Sequence, residues 1–117
     1  MQLHEITFDG QPPIDGYGPG FFRVQGKVHT GNLFISKAGA QAWDGYGDLA
    51  PLIAACADYD VVFVGTGAEI APLPKAVRAA LEEAGVPFEV MGSPSACRTY
   101  NILLSEDRRV ALAALAV

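Results

Sequence analysis

The apolar run Val61-Val62-Phe63-Val64 limits the possible folds of this 117-residue chain more than any other feature of its sequence. Consecutive β-branched and aromatic residues are typical of a strand that is covered on both faces. Gly65-Thr66-Gly67 comes next, followed by PLPKAVRAALEEAG, in which Pro74 suits the first turn of a helix and Gly85 suits its end. The pattern predicts a buried strand, a loop and a helix, which is the first half of a parallel βαβ unit.

A second unit of the same kind follows. PFEVM predicts a short strand, and Ser93-Pro94 predicts the start of a helix, with Ser93 as its N-cap residue. The closing segment RRVALAALAV has no clear period. Its alanine content allows a helix, whereas the order of right-handed crossovers favours a strand in a mostly parallel core.

The first half of the chain has the composition of strands and turns. LHEITF and FFRVQGKVHTGNLFIS predict strands, and in the second of these Phe22 and Val24 alternate with polar residues. DGQPPIDGYGPG predicts a loop, and DLAPLIAACADYD predicts a short helix with Asp48 as N-cap. Together the patterns predict an α/β fold for a single compact domain over residues 1–117. It would have an N-terminal β ribbon plus βαβ units, and a mixed sheet layered with about three helices.

Composition disfavours several classes of function. The formal net charge is -5 at pH 7, whereas binding to nucleic acid or to anionic membranes requires clustered Lys and Arg. VALAALAV is far shorter than the roughly 20 residues that span a bilayer, and the amino terminus lacks the apolar core of a secretory signal. We therefore expect a soluble, cytoplasmic protein that neither binds nucleic acid nor inserts directly into a membrane.

The cysteines and histidines do not predict a metal site. Cys56 and Cys97 lie far apart and form no CxxC motif, and His4 and His29 have no cluster of ligating residues near them in sequence. We expect reduced thiols, no metal and no cofactor.

Gly65, Thr66 and Gly67 follow one predicted strand, and residues 92–98 follow its expected parallel neighbour. Both loops should therefore lie at one edge of the sheet. Open α/β sheets bind ligands there, where helix amino termini present N–H groups to anions, and Arg98 would add a positive charge. A small carboxylate or phosphate would suit such a site. Alternatively, the glycines only let the backbone turn sharply, since GTG completes neither a dinucleotide-binding motif nor a P-loop.

Cys97 admits two interpretations. Near a helix amino terminus and beside Arg98, an exposed thiol would have a lowered pKa and could act as a nucleophile. A nucleophile also needs a base, and both histidines belong to the first half of the chain. On a helix, however, Cys97, Tyr100 and Leu104 share one face, which favours a buried cysteine packed under an aromatic ring.

Two other features raise a choice between structure and function. Glu89 stands alone in an apolar strand, so we expect an internal partner such as Arg98, with a general acid or base as the alternative. Trp43 and Tyr46 flank a Gly-rich turn, and we expect them to form a packing lid rather than an exposed anchor for a partner.

The segments VVFVGTG, CRTYN and EDRRVALAAL, with GPGFFRV and HTGNLFI before them, resemble a family of small domains found in bacteria and archaea. The family has no established biochemical function, and its animal relatives include a mitochondrial respiratory complex I assembly factor and an adipogenesis-associated protein. The resemblance covers nearly the whole chain and implies a small α/β domain. Its signature falls on Gly65, Thr66, Gly67, Glu89, Met91, Cys97, Arg98, Thr99, Tyr100 and Asn101.

The chain departs from the family pattern at two places. Gly31-Asn32 stands where relatives tend to have Gly-Ser, and Gly92-Ser93-Pro94 replaces a commoner Asp-Thr, which bears on the helix cap. The resemblance implies a non-enzymatic interaction or assembly role with an unidentified protein partner, in the manner of a complex I assembly factor. The alternative is a domain that binds a small molecule or anion, or an enzyme, with its site at residues 65–67 and 97–101.

Overall fold

A computed structural model describes residues 10–117 of the chain. The predicted strand LHEITF and His4 lie outside the described residues. Residues 10–117 form eight strands in two sheets and three α-helices, which confirms the predicted α/β fold.

The first sheet is an antiparallel ribbon of three short strands. They are β1 (Gly16–Gly18), β2 (Phe21–Val24) and β3 (Lys27–Thr30). Phe22 and Val24 are buried and Arg23 is exposed, as the alternation predicted. β1 lies inside the segment that was predicted to be a loop. This prediction was wrong because Gly16 and Gly18 are typical of a loop, whereas the backbone here pairs with β2 as a strand.

The second sheet is mixed and forms the centre of the domain. Its strands are β4 (Leu33–Ser36), β5 (Gly39–Ala42), β6 (Val61–Gly65), β7 (Phe88–Met91) and β8 (Val110–Ala114). Their spatial order is β5-β4-β8-β6-β7, with β6 parallel to both β7 and β8 and with β4 antiparallel to β5 and β8. The closing segment is therefore a strand, as the crossover order favoured.

The helices cover both faces of this sheet. They are α1 (Ala50–Ala55), α2 (Lys75–Glu83) and α3 (Ser93–Ser105). Residues of α1 and α2 share a core with one face, which we call the helix-pair face. Residues of α3 and of the ribbon share a core with the other, which we call the ribbon face. None of the helices in residues 10–117 is long and apolar enough to cross a membrane.

The predicted helix starts are each displaced by a residue. The N-cap of α1 is Leu49, and Asp48 accepts a hydrogen bond from the Ala50 N–H at 3.3 Å. Pro74 is the N-cap of α2 rather than a residue of its first turn. The N-cap of α3 is Gly92, so Ser93 is its first helical residue. Ser93 does not cap its own helix because its hydroxyl bonds groups outside that helix, as described below.

Trp43 and Tyr46 form the predicted packing lid. Trp43 is buried, and its indole Nε1 donates a hydrogen bond of 2.8 Å to the carbonyl of Asp48. The Tyr46 ring packs edge-on against it, with 6.3 Å between ring centroids. The pair closes the helix-pair face beside α1 and leaves Trp43 inaccessible to a partner.

Candidate functional site

The loop after β6 and the start of α3 meet at one edge of the sheet, as predicted from the parallel order. The Gly67 N–H donates to the Ser93 Oγ at 2.9 Å, and the Ser93 N–H donates to the Gly67 carbonyl at 2.7 Å. The Thr66 N–H donates to the carbonyl of Met91, at the end of β7, at 2.8 Å. The N–H groups of Thr66 and Gly67, which lie in the loop of the predicted anion site, therefore have protein partners.

Ser93 joins three segments of the chain at this junction. It is completely buried, and its hydroxyl donates a hydrogen bond of 2.6 Å to the carbonyl of Leu115 while it accepts the Gly67 N–H. A Cβ atom at Gly65 would lie 2.6 Å from the Ser93 Oγ and 2.9 Å from the Ser93 Cα. Only glycine permits this approach, which explains the first glycine of GTG. Sequence reasoning missed this role of Ser93, since a serine before a proline has the pattern of an N-cap.

Thr66 shapes the next part of the loop through its hydroxyl group. The Thr66 Oγ1 donates to the Glu69 carbonyl at 2.8 Å and accepts a hydrogen bond from the Ala71 N–H at 3.1 Å. These two bonds hold the peptide groups on either side of Ile70, whose side chain is 69% exposed. The sequence contained a signal for this residue, an isoleucine in the Pro-rich segment AEIAPLP, but the periodicity did not distinguish it from a core residue.

A cleft of about 420 Å³ lies beside Ile70, between the loop after β6 and the start of α3. It is lined by Ala68, Glu69, Ile70, Met91, Gly92, Pro94 and Ser95. Most of these side chains are apolar or small, and Glu69 is the one charged residue among them. The cleft can accept an apolar side chain of moderate size, and its single charge is of the wrong sign for an anion.

Cys97 is buried, as its shared face with Tyr100 predicted. It is 2% exposed and packs in the core of the ribbon face. Burial raises the pKa of the Cys97 thiol to about 12, although the charge of Arg98 acts in the opposite direction. At neutral pH the group is therefore a protonated, inaccessible thiol, and this geometry does not supply a nucleophile.

Tyr100 and Asn101 of α3 form hydrogen bonds with residues 11–14. The Tyr100 hydroxyl donates to the Pro12 carbonyl at 2.7 Å and accepts a hydrogen bond from Gln11 Nε2 at 3.0 Å. The Asn101 side chain accepts the Ile14 N–H at 2.8 Å and donates to the Ile14 carbonyl at 2.9 Å. Burial raises the pKa of the Tyr100 hydroxyl, and the bond from Gln11 opposes this shift. Both signature residues thus have structural partners that are distant in sequence.

The predicted ion pair between Glu89 and Arg98 is absent from residues 10–117. Glu89 is exposed, because β7 is an edge strand that is only partly covered on that face. Arg98 is also exposed, and its Nη2 lies 3.2 Å from the Ser95 Oγ on the same helix. Thr99, between the buried cysteine and tyrosine, is half-buried. Within residues 10–117, no three His, Cys, Asp or Glu side chains are grouped so as to hold a metal ion.

Comparison with known proteins identifies the family and its fold. A family model described as a protein of unknown function (DUF498/DUF598) matches residues 14–115. An uncharacterized protein of Rhodobacter capsulatus is 50% identical over 115 residues, which cover 98% of this chain and 93% of that protein. The crystal structure of an outer membrane protein from Bartonella henselae superposes with a TM-score of 0.82 at 34% identity, over 94% of this chain and 98% of that one.

A shorter match links the chain to an animal protein. NADH dehydrogenase (ubiquinone) 1 alpha subcomplex assembly factor 3 of Danio rerio is 43% identical over 54 residues. These residues are 46% of this chain and 31% of the Danio rerio protein. The resemblance inferred from the CRTYN signature is thereby confirmed.

Proposed function

The chain belongs to the DUF498/DUF598 family, and on that premise we propose that it is a non-enzymatic protein-interaction domain of the assembly-factor kind. The observation that carries the proposal is the exposed position of the Ile70 side chain. Singly exposed apolar residues are common on protein surfaces. Ile70 differs in that the peptide groups flanking it are held by the Thr66 hydroxyl and that an apolar cleft lies beside it. A preorganised apolar anchor next to a cleft is typical of a binding surface.

The other candidate residues support a binding role over a catalytic one. Cys97 and Tyr100 are buried, and Asn101 uses both ends of its amide group on the backbone of Ile14. These signature residues hold the domain together. The exposed part of the candidate site then consists of the loop with Ile70, the cleft, Glu89 and Arg98.

Affinity capture from native cells after mild cross-linking, followed by mass spectrometry, tests this function. We expect a partner that is recovered with the wild-type protein. Its recovery should fall at least about tenfold with Ile70→Glu, since placing a charge on an anchor that the partner buries costs well over about 1.4 kcal/mol of binding free energy. Ile102→Glu is the matched control, because Ile102 is 57% exposed on α3, away from the cleft. Recovery of the bait alone, or equal recovery with Ile70→Glu, would contradict the proposal.

We further propose that the assembled target is a respiratory NADH dehydrogenase. The support is the 54-residue match to the Danio rerio assembly factor, which is an argument from relationship rather than from geometry. Deletion of the gene should lower the amount of intact complex I on native gels while other respiratory complexes are unchanged. Normal complex I in the deletion strain would remove this part of the proposal and leave the binding role standing.

A cytoplasmic location is part of the same proposal. Cys56 and Cys97 are both free thiols, which agrees with a reducing compartment. Cell fractionation tests it, and recovery of the protein outside the cytoplasm would contradict it.

A second candidate function is the binding of a small anion, favoured by Arg98. Its guanidinium is exposed at the amino end of α3 and lies near the Ser95 hydroxyl. Because the N–H groups of Thr66 and Gly67 have partners, the site would be confined to the first turns of α3. An NMR titration with phosphate should shift the amide signals of residues 95–98 in the wild type and not in Arg98→Ala. Equal shifts in both would exclude this site.

A further inference from the structure

β7 is the last strand of the central sheet as residues 10–117 form it, so one of its edges faces no other described strand. Among the strands of residues 10–117, β7 pairs only with β6. The Pro87 carbonyl accepts the Val62 N–H at 2.7 Å and the Met91 carbonyl accepts the Thr66 N–H at 2.8 Å, so the peptide groups of alternate residues face β6. Because these groups alternate along a strand, the N–H and C=O of Phe88 and Val90 point away from the sheet.

The same edge leads into the cleft beside Ile70. Glu89 and Met91 lie on one face of β7, since side chains alternate with a period of two. Glu89 is exposed, and Met91 lines the cleft together with Ile70 and Pro94. A strand laid along β7 would therefore meet first a carboxylate and then, two residues on, an apolar cleft.

We propose that β7 accepts an extended segment of a partner protein as an additional strand. In that segment a Lys or Arg would lie opposite Glu89, and an apolar residue two positions away would occupy the cleft beside Ile70. Main-chain bonds to Phe88 and Val90 would supply affinity, and the two side-chain contacts would supply specificity. This inference rests on the proposed binding function and specifies the chemistry of the partner.

Charge selects a basic segment of another protein over a second copy of this chain. In a symmetric antiparallel pair, the register that bonds Phe88 of each copy to Val90 of the other places Glu89 directly opposite Glu89. Like charges opposite each other across two strands are destabilising. The edge strand has only four residues, carries the charged Glu89 and directly follows Pro87, and all three features reduce self-pairing of an edge. Like charges therefore disfavour this pairing of two copies, whereas a cationic residue opposite Glu89 would stabilise an added strand.

Selection from a phage-displayed library of random dodecapeptides against the purified protein tests the inference. We expect the selected peptides to share a Lys or Arg two positions from an apolar residue. With the synthetic peptide bound, hydrogen exchange of the Phe88 and Val90 amides should slow at least about tenfold. Glu89→Lys should weaken binding by about tenfold, and a peptide with Glu in place of its basic residue should restore most of the loss.

Glu83→Lys is the matched control, because Glu83 is also exposed and carries the same charge on α2. It should leave the affinity within about twofold of the wild type, a shift of a few tenths of a kcal/mol. The inference is overturned if no peptide is selected, if Glu89→Lys binds as the wild type does, or if protection appears away from β7. Self-association of the wild type through β7 would also overturn it. In any of these cases, capture of a partner that depends on Ile70 would still support the binding function, whereas loss of both results would end both proposals.

Discussion

On the helix-pair face of the central sheet, the core includes α1 and α2, which are near neighbours in sequence. On the ribbon face, residues 14–24 pack against α3, which lies much later in the chain. Tyr100 and Asn101 bond residues that lie 87 to 89 positions earlier in the chain. On the helix-pair face, the Tyr59 hydroxyl accepts one hydrogen bond, from the Lys37 N–H at 2.7 Å. It borders an open cleft of about 560 Å³. The polar signature residues Tyr100 and Asn101 therefore join segments of the domain that are far apart in sequence.

The largest expected effect concerns the central strand β8, which differs between its faces. Leu112 is fully buried in the core of the ribbon face, whereas Ala111 and Ala113 face the helix pair. Leu112→Ala should lower the free energy of unfolding by about 2–5 kcal/mol, because it leaves a cavity. Ala113→Leu should cost about 1–3 kcal/mol by overpacking. Denaturant unfolding measures both changes. If Leu112→Ala leaves the free energy of unfolding unchanged, the core of the ribbon face is loosely packed.

Removing one tyrosine hydroxyl from each face tests how much these hydrogen bonds stabilise the fold. Tyr100→Phe leaves the buried Pro12 carbonyl without its donor, and Gln11 Nε2 keeps only its bond of 2.7 Å to the Val110 carbonyl, so we expect a cost of about 1–3 kcal/mol. Tyr59→Phe frees only the Lys37 N–H, which water can reach from the cleft, so we expect about 0.5–1.5 kcal/mol. If both variants lose the same free energy of unfolding, the hydrogen bonds of Tyr100 stabilise the fold no more than that of Tyr59.

The smallest expected effect is a difference in alkylation rate between the thiols of Cys56 and Cys97. Cys56 is half-buried on the helix-pair face, and Cys97 is buried on the ribbon face. With iodoacetamide and the folded protein, Cys56 should react first and Cys97 at least about tenfold more slowly, because Cys97 must wait for local opening. Peptide mapping measures both rates. Comparable rates would show that α3 opens readily from the ribbon.

Cys97 also predicts a pH dependence of stability. Its pKa is raised from 9.0 to about 12 in the folded protein, so the fold favours the protonated thiol. The associated stability is fully present below pH 9 and is lost as the pH rises toward 12. Cys97→Ala should therefore lose less stability than the wild type between neutral pH and pH 11, as measured by denaturant unfolding. An identical alkaline loss in both proteins would assign the effect to other groups.

Much of the fold could be predicted because its signals are local. The run of residues 61–64, the glycines after it and the apolar face of α2 identified the strand–loop–helix units, and these imply a parallel core. The strands β1 and β5 gave weak signals, because glycine and alanine have low strand propensity and their pairing depends on neighbours. The meeting of the two loops was predicted correctly, since parallel strands end at one edge, but the hydrogen-bond partners of their residues were not.

Local patterns indicate the family, the α/β class, the shared edge of the two loops and the buried side of α3, because motifs, periodicity and glycine placement act over a few residues. Which hydrogen-bonding and charged groups at that edge remain available to a partner depends instead on tertiary contacts. Ser93 bonds Gly67 and Leu115 instead of capping its helix, and Glu89 faces solvent instead of Arg98. Hydrogen-bond partners and burial depend on segments that are far apart in the chain, and no local pattern records which of them will meet.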